Sequence, residues 1–120
     1  MAGVGIFKTG IEPDWIDYNG HLRDAYYGLI VSFAIDALMD KYPNLYGDLS
    51  AGSGAGAISR DPEFGRKFLV RRAERLMFGT DYLSPGQEVP QLNLFRSLEL
   101  PAEVQAKVFR DNARRLLKLS

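Results

Sequence analysis

Four residues hold most of the chemistry open to this chain. Asp17, Asn19 and His21 share one short stretch, and Asp81 follows an apolar run much further on. Carboxylates and imidazole move protons and bind metal ions, so these are the catalytic candidates. Asp81 lies in Arg75-Leu-Met-Phe-Gly-Thr-Asp-Tyr82, where Leu76 to Phe78 is followed by a glycine, a hydroxyl residue and an acid. That is how a buried parallel strand looks when it delivers a carboxylate to the end of a sheet, where α/β proteins keep their chemistry.

Residues 4–11 alternate loosely and predict a short first strand, which Glu12-Pro-Asp stops. Residues 15–20 read as a polar, aromatic loop ending in the turn signal Asn19-Gly20. From about residue 22 to 40 the pattern is helical. Tyr26, Leu29, Ile30, Phe33, Ala34, Ala37 and Leu38 make a wide apolar face, and Ser32, Asp36 and Asp40 leave only a thin polar seam. Such a helix must be wrapped by other elements or by another chain.

Residues 45–49 predict a second strand and residues 50–57 a glycine-rich loop. Ser59 or Asp61 then caps a helix with Pro62 in its first turn. Phe64, Phe68 and Leu69 form its apolar stripe, with Arg66, Arg71 and Arg72 outside it. A third strand at residues 76–78 leads through Ser84-Pro-Gly86 to a short helix over residues 90–98. Pro101 opens the last helical region, in which Val104 and Val108 stand four apart. Asp111 or Asn112 is expected to cap the final turns, with Ala113, Leu116 and Leu117 facing inward. The expected fold is one α/β domain over residues 1–120, with about three mainly parallel strands and packed helices, too few strands to close a barrel.

A length of 120 residues leaves room for one modest core. Fifteen basic side chains balance fifteen acidic ones, so charge recruits neither nucleic acid nor an anionic membrane. Arg71, Arg72, Arg75, Arg110, Arg114, Arg115 and Lys118 are read as ordinary solvated helix surface, since acids lie among them. Without cysteine there is no disulfide framework, no thiolate nucleophile and no cysteine-ligated zinc. The longest apolar stretch, residues 25–39, is too short to span a bilayer and contains Asp36. No signal-peptide pattern opens the chain, so the expected location is cytoplasmic.

Two resemblances divide the chain. Pro13-Asp-Trp-Ile-Asp-Tyr-Asn-Gly-His-Leu-Arg-Asp-Ala-Tyr-Tyr27 resembles the start of a hotdog-fold acyl-CoA thioesterase of the kind tied to carnitine and betaine metabolism. Residues 4–40 would then be that fold's first strand and central helix, with Arg23 where such sequences carry a small polar residue. From Lys41 onward, Tyr-Pro-Asn-Leu-Tyr-Gly-Asp-Leu-Ser-Ala, Arg-Leu-Met-Phe-Gly-Thr-Asp-Tyr and Phe-Arg-Asp-Asn-Ala-Arg-Arg-Leu-Leu resemble the tail of a metal-dependent amidohydrolase. In that family these segments are the last two βα units of an eight-stranded barrel. The likeness implies a fusion of hydrolase fragments, residues 1–40 and 41–120, joined near Asp40-Lys41. Neither parent is complete: the hotdog lacks most of its sheet, and the barrel lacks the His-x-His of its first strand and the histidines of its middle strands.

These resemblances give the candidates roles. Asp17, with Asn19 and His21, would sit where a thioesterase keeps its base or nucleophile. Asp81 falls on the barrel family's strand-end aspartate, which binds metal or takes a proton from the attacking water. With Asp48 and His21 it would hold a divalent cation, although a tight zinc site wants three ligands and the chain has one histidine. Local chemistry explains the same residues and is preferred. Asp17 and Asn19 shape a turn, His21 starts a helix, and Asp81 caps a loop or pairs with Arg75. Residues 52–57 fit the dinucleotide fingerprint only poorly, and a flexible loop is the better account.

The expected function follows: a chimeric, hydrolase-derived scaffold that associates with its own copies, by exchange of its first strand and helix, and lacks the parental catalysis. The alternative is a weak hydrolase, thioesterase-like through Asp17 or metal-assisted through Asp81. No cofactor is expected, a divalent metal at Asp81 is compatible, and neither nucleic acid nor membrane is an expected partner.

Overall fold

The computed structural model of the chain describes residues 7–120. The chain divides into two compact units, one running through Leu45 and the other Tyr46–Ser120.

In the first unit a short 3-10 turn, Pro13–Trp15, leads through a tight turn into helix α1, Asp24–Lys41. Residues 7–11, the greater part of the expected first strand, are irregular, and residues 4–6 lie outside the described residues. Gly10 and the nearby Pro13 disfavour a ladder there. The antiparallel pairing here is a single bridge between Ile16 and Leu22. The Trp15 ring stacks on Tyr26 at 5.2 Å and approaches Phe33 at 6.5 Å, which holds the turn to its helix.

The polarity of α1 is not as its sequence suggests. Leu29, Ser32 and Met39 are buried, so the expected polar seam is in part inward. Ser32 is accommodated because its hydroxyl donates to the Gly28 carbonyl one turn back at 3.2 Å. Tyr27, Val31 and Ile35, four apart along one side, are 58%, 56% and 43% exposed.

The second unit opens with strand β1, Gly47–Asp48, which pairs in parallel with β2, Leu76–Met77. The α/β class and the parallel pairing stand as expected; two strands are found among the described residues, and they do not close as a barrel. Between them lie α2, Ala51–Ser59, and α3, Pro62–Arg71. Helix α2 replaces the expected glycine-rich loop. Glycine disfavours helix by roughly 1 kcal/mol per residue against alanine, so packing must supply the difference. Its small residues allow that packing. A side chain at Gly54 would meet the Leu49 carbonyl, and one at Gly65 on α3 would meet the Ile58 carbonyl. Asp61 caps α3 by accepting from the Phe64 amide at 3.0 Å. Phe68 and Leu69 are buried as expected, but so is Arg72, because the chain turns inward at the end of α3 into a 3-10 turn, Ala73–Arg75.

Helix α4, Pro90–Ser97, packs on α2. The chain ends in one continuous helix made of α5, Ala102–Ala106, a wide π turn, Lys107–Asp111, and α6, Asn112–Leu116. Asn112 therefore caps nothing. The wide turn adds a residue to the coil and brings Asn112 to the inward face after Val104 and Val108, while Leu116 and Leu117 stay exposed.

That turn also closes the sheet. In a parallel pair the amides and carbonyls of alternate residues point to opposite sides. The Met77 carbonyl faces β1 and accepts from the Leu49 amide at 2.9 Å. On the outer side, the Phe78 amide donates to the Val108 carbonyl at 2.9 Å, and the Asn112 side-chain amide donates to the carbonyls of Leu76, at 2.8 Å, and Ala73. A helix carbonyl and one asparagine thus stand where another strand would pair.

Candidate functional site

The carboxyl ends of β1 and β2 are where a sheet of this kind would hold a ligand. After β1, both Asp48 oxygens accept from Ser50: Oδ1 from the amide and Oδ2 from the hydroxyl, each at 2.9 Å. Ala51 follows with φ of 59°, a left-handed conformation that sharpens the entry into α2. From the other side the Gln91 amide of α4, fully buried, donates to the carbonyls of Leu49 and Ala51. Its Oε1 is buried without a hydrogen-bond partner among the described residues.

After β2, Gly79 lies against this turn. A Cβ there would stand 3.0 Å from Asp48 Oδ1 and 2.9 Å from Ser50 Cβ, so only glycine lets the two strand ends approach this closely. Asp81 is exposed and has φ of 51°. Gln87 grips its loop through the backbone: Nε2 donates to the Asp81 carbonyl at 2.7 Å, and Oε1 accepts from the Leu83 amide at 2.9 Å.

The other candidates lie in the first unit. Asp17 Oδ1 accepts from the amides of Asn19, at 2.8 Å, and His21, at 3.0 Å. The Asp17 amide donates to the His21 carbonyl at 2.8 Å, and Gly20 takes φ of 80° to close the turn. The structure thus brings Asp17, Asn19 and His21 together, with the last two joined through their backbones. Helix α1 begins beyond His21, with Arg23 at its N-cap and no side-chain cap. Among the described residues no three His, Cys, Asp or Glu side chains are grouped to hold a metal ion. Asp48 and Ser50 mark the site in sequence as an Asp-x-Ser turn after a strand. Gln91 gives no such signal, because the second residue of a helix normally reads as solvated.

Beside the sheet, Glu74 joins the last helix through Lys107 at 2.5 Å and Arg115 at 3.3 Å, and Lys107 also meets Glu103 at 2.7 Å. The hydrogen bond from Lys107 leads in holding the Glu74 carboxyl below its ordinary value. Glu103 first, and then Glu74, hold the Lys107 ammonium above its own.

Two short parallel strands followed by helices carry Asp48, Gly79 and Asp81 at and just beyond their carboxyl ends. The amidohydrolase family matches residues 34–119, and the chain belongs to that family. The chain is also similar to the betainyl-CoA thioesterase of Pseudomonas aeruginosa, 34% identical over 100 residues, covering 83% of this chain and 61% of that protein. No solved structure matches. No helix among the described residues is long and apolar enough to cross a membrane.

Proposed function

We propose that the chain is a chimeric, hydrolase-derived α/β scaffold that associates with its own copies and does not carry the catalysis of either parent kind. The reading rests chiefly on what the candidate carboxylates already do. Asp17 serves two amides of its own turn, and both oxygens of Asp48 serve Ser50. An acid committed in this way shapes a loop; catalysis also needs a stabiliser of developing charge and a substrate held in line. Self-association is supported by the exposed stripe Tyr27, Val31 and Ile35 on α1. The occupant we favour is the same stripe of a second copy, because a self-complementary apolar face makes a two-fold contact without further design.

A weak hydrolase is the second reading, and one observation favours it at Asp81. A non-glycine residue in the left-handed region is uncommon and clusters at functional sites. Hydrolysis of acyl-CoA and p-nitrophenyl esters, with and without Zn²⁺ or Mn²⁺, separates the readings. Background rates unchanged in Asp17→Asn and Asp81→Asn are expected. Efficient turnover lost at Asp17 would establish a thioesterase, and metal-dependent turnover lost at Asp81 an amidohydrolase. Light scattering should show a dimer or larger species that Val31→Glu with Ile35→Glu reduces to a monomer. A wild-type monomer at micromolar concentration would remove the self-association part.

A further inference from the structure

A groove of about 700 Å³ lies between α4 and the last helix. Its floor is aromatic and aliphatic. Phe95 and Phe109 meet edge to face at 5.3 Å, and Phe78 backs both at 5.4 and 4.6 Å. Leu92 and Phe109 are 44% and 43% exposed, so this floor is open to solvent. Its rim carries Arg96 from α4 and Arg110 from the wide turn. Asp111 accepts from Arg110 Nε at 2.7 Å and so orients that guanidinium. The turn that presents Phe109 and Arg110 is itself a wide helical turn, a feature frequent at functional positions.

We propose that this groove binds a small amphipathic carboxylate, its apolar tail on Phe95, Phe109 and Leu92 and its head between Arg96 and Arg110. The volume falls within the roughly 300–1,000 Å³ of small-molecule sites. Guanidinium groups match a planar carboxylate by paired N–H donors, and an open aromatic floor beside them suits a ligand that is half apolar. A neutral ligand would leave the rim unused; a fully polar one would leave the floor wet.

Decanoate, below its micellar concentration, is the probe, with decan-1-ol as the neutral comparison. Both are titrated into the full chain at fixed protein concentration and followed by calorimetry and amide chemical shifts. Decanoate should bind one to one and move the amides of residues 92–96 and 105–110. Decan-1-ol should bind roughly tenfold more weakly or worse, since it lacks the charge-assisted bonds. Arg96→Gln should weaken decanoate about tenfold as well, while Arg114→Gln, also on the surface of the last helix, should leave it unchanged. The alcohol comparison needs no variant and stands even if a substitution unfolds the chain. No binding, equal affinity for acid and alcohol, or shifts confined to other regions would overturn the proposal.

Discussion

Replacing Asn112 by leucine tests the closure of the sheet edge. The side chain is fully buried and donates to the carbonyls of Leu76 and Ala73. Leucine has nearly the same outline and no donor, so the substitution removes the two bonds while largely keeping the packing. A buried carbonyl stripped of its donor costs about 1–3 kcal/mol. Two of them would cost about 2–6 kcal/mol on that scale. Two gains work against this loss. Leucine buries apolar surface in place of an amide, and the Asn112 Oδ1, buried without a partner among the described residues, is removed. The net loss should be about 2 kcal/mol, a large share of the roughly 5–15 kcal/mol that holds a domain together. Urea unfolding at fixed protein concentration, followed by far-UV circular dichroism, reads it as a lowered midpoint with an unchanged slope. Asn112→Asp should be worse at neutral pH, because it sets a charge against the same carbonyls. An Asn112→Leu protein as stable as the parent would mean that the two carbonyls do not depend on this side chain, and the closure argument would fail.

The glycines should divide by what surrounds them. Gly65→Ala would drive a Cβ into the Ile58 carbonyl oxygen and should cost at least about 2 kcal/mol, as overpacking against backbone does. Gly52→Ala, in the same region but with nothing within 4 Å, should stabilise α2 by about 0.5–1 kcal/mol; opposite signs in thermal melts check the pair. Because the folded Glu74 carboxyl titrates below its ordinary 4.5, its contribution is complete above that pH and is lost as pH falls through the folded value. Lys107, raised above 10.5, contributes below that pH and loses its share as pH rises through its folded value. Glu74 is exposed and Lys107 half-buried beside it, so the effects are small and salt-sensitive. Melting temperatures of Glu74→Gln should be less sensitive to acid than those of the parent, and identical acid sensitivity would refute the assignment.

Much of the fold is legible because its signals are local. Pro62 after Asp61 marks the start of α3, and Pro90 marks α4, through cap and first-turn chemistry that a short window contains. What stays hidden depends on partners distant in sequence. Residues 51–59 hold three glycines and two serines, more breaks than a helix pattern tolerates, yet close backbone approach at Gly54 lets them pack as a helix. Asn112 looks like a cap until the extra residue of the wide turn carries it inward to the end of β2. For the site, Asp17 and Asn19 were readable as turn formers, since an Asx turn is written in adjacent residues. The hold of Gln91 on the β1–α2 turn was not, since it spans some forty positions of sequence.

The two family likenesses overlap more than their motifs suggest. A thioesterase match over 100 residues and an amidohydrolase match over residues 34–119 must share more than half of a 120-residue chain. The amidohydrolase match begins at Ala34, inside α1. The backbone bonds of a helix are made within the element and do not depend on which neighbour it packs against. Its side chains do depend on that neighbour. Tyr27 and Val31 precede residue 34, in the part that resembles a thioesterase's central helix, and the antiparallel sheet such a helix would have is reduced here to the Ile16–Leu22 bridge among the described residues. Tyr27, Val31 and Ile35 are apolar positions of α1 that remain exposed. On the reading proposed above, the same stripe of a second copy supplies the cover that this side of the helix lacks.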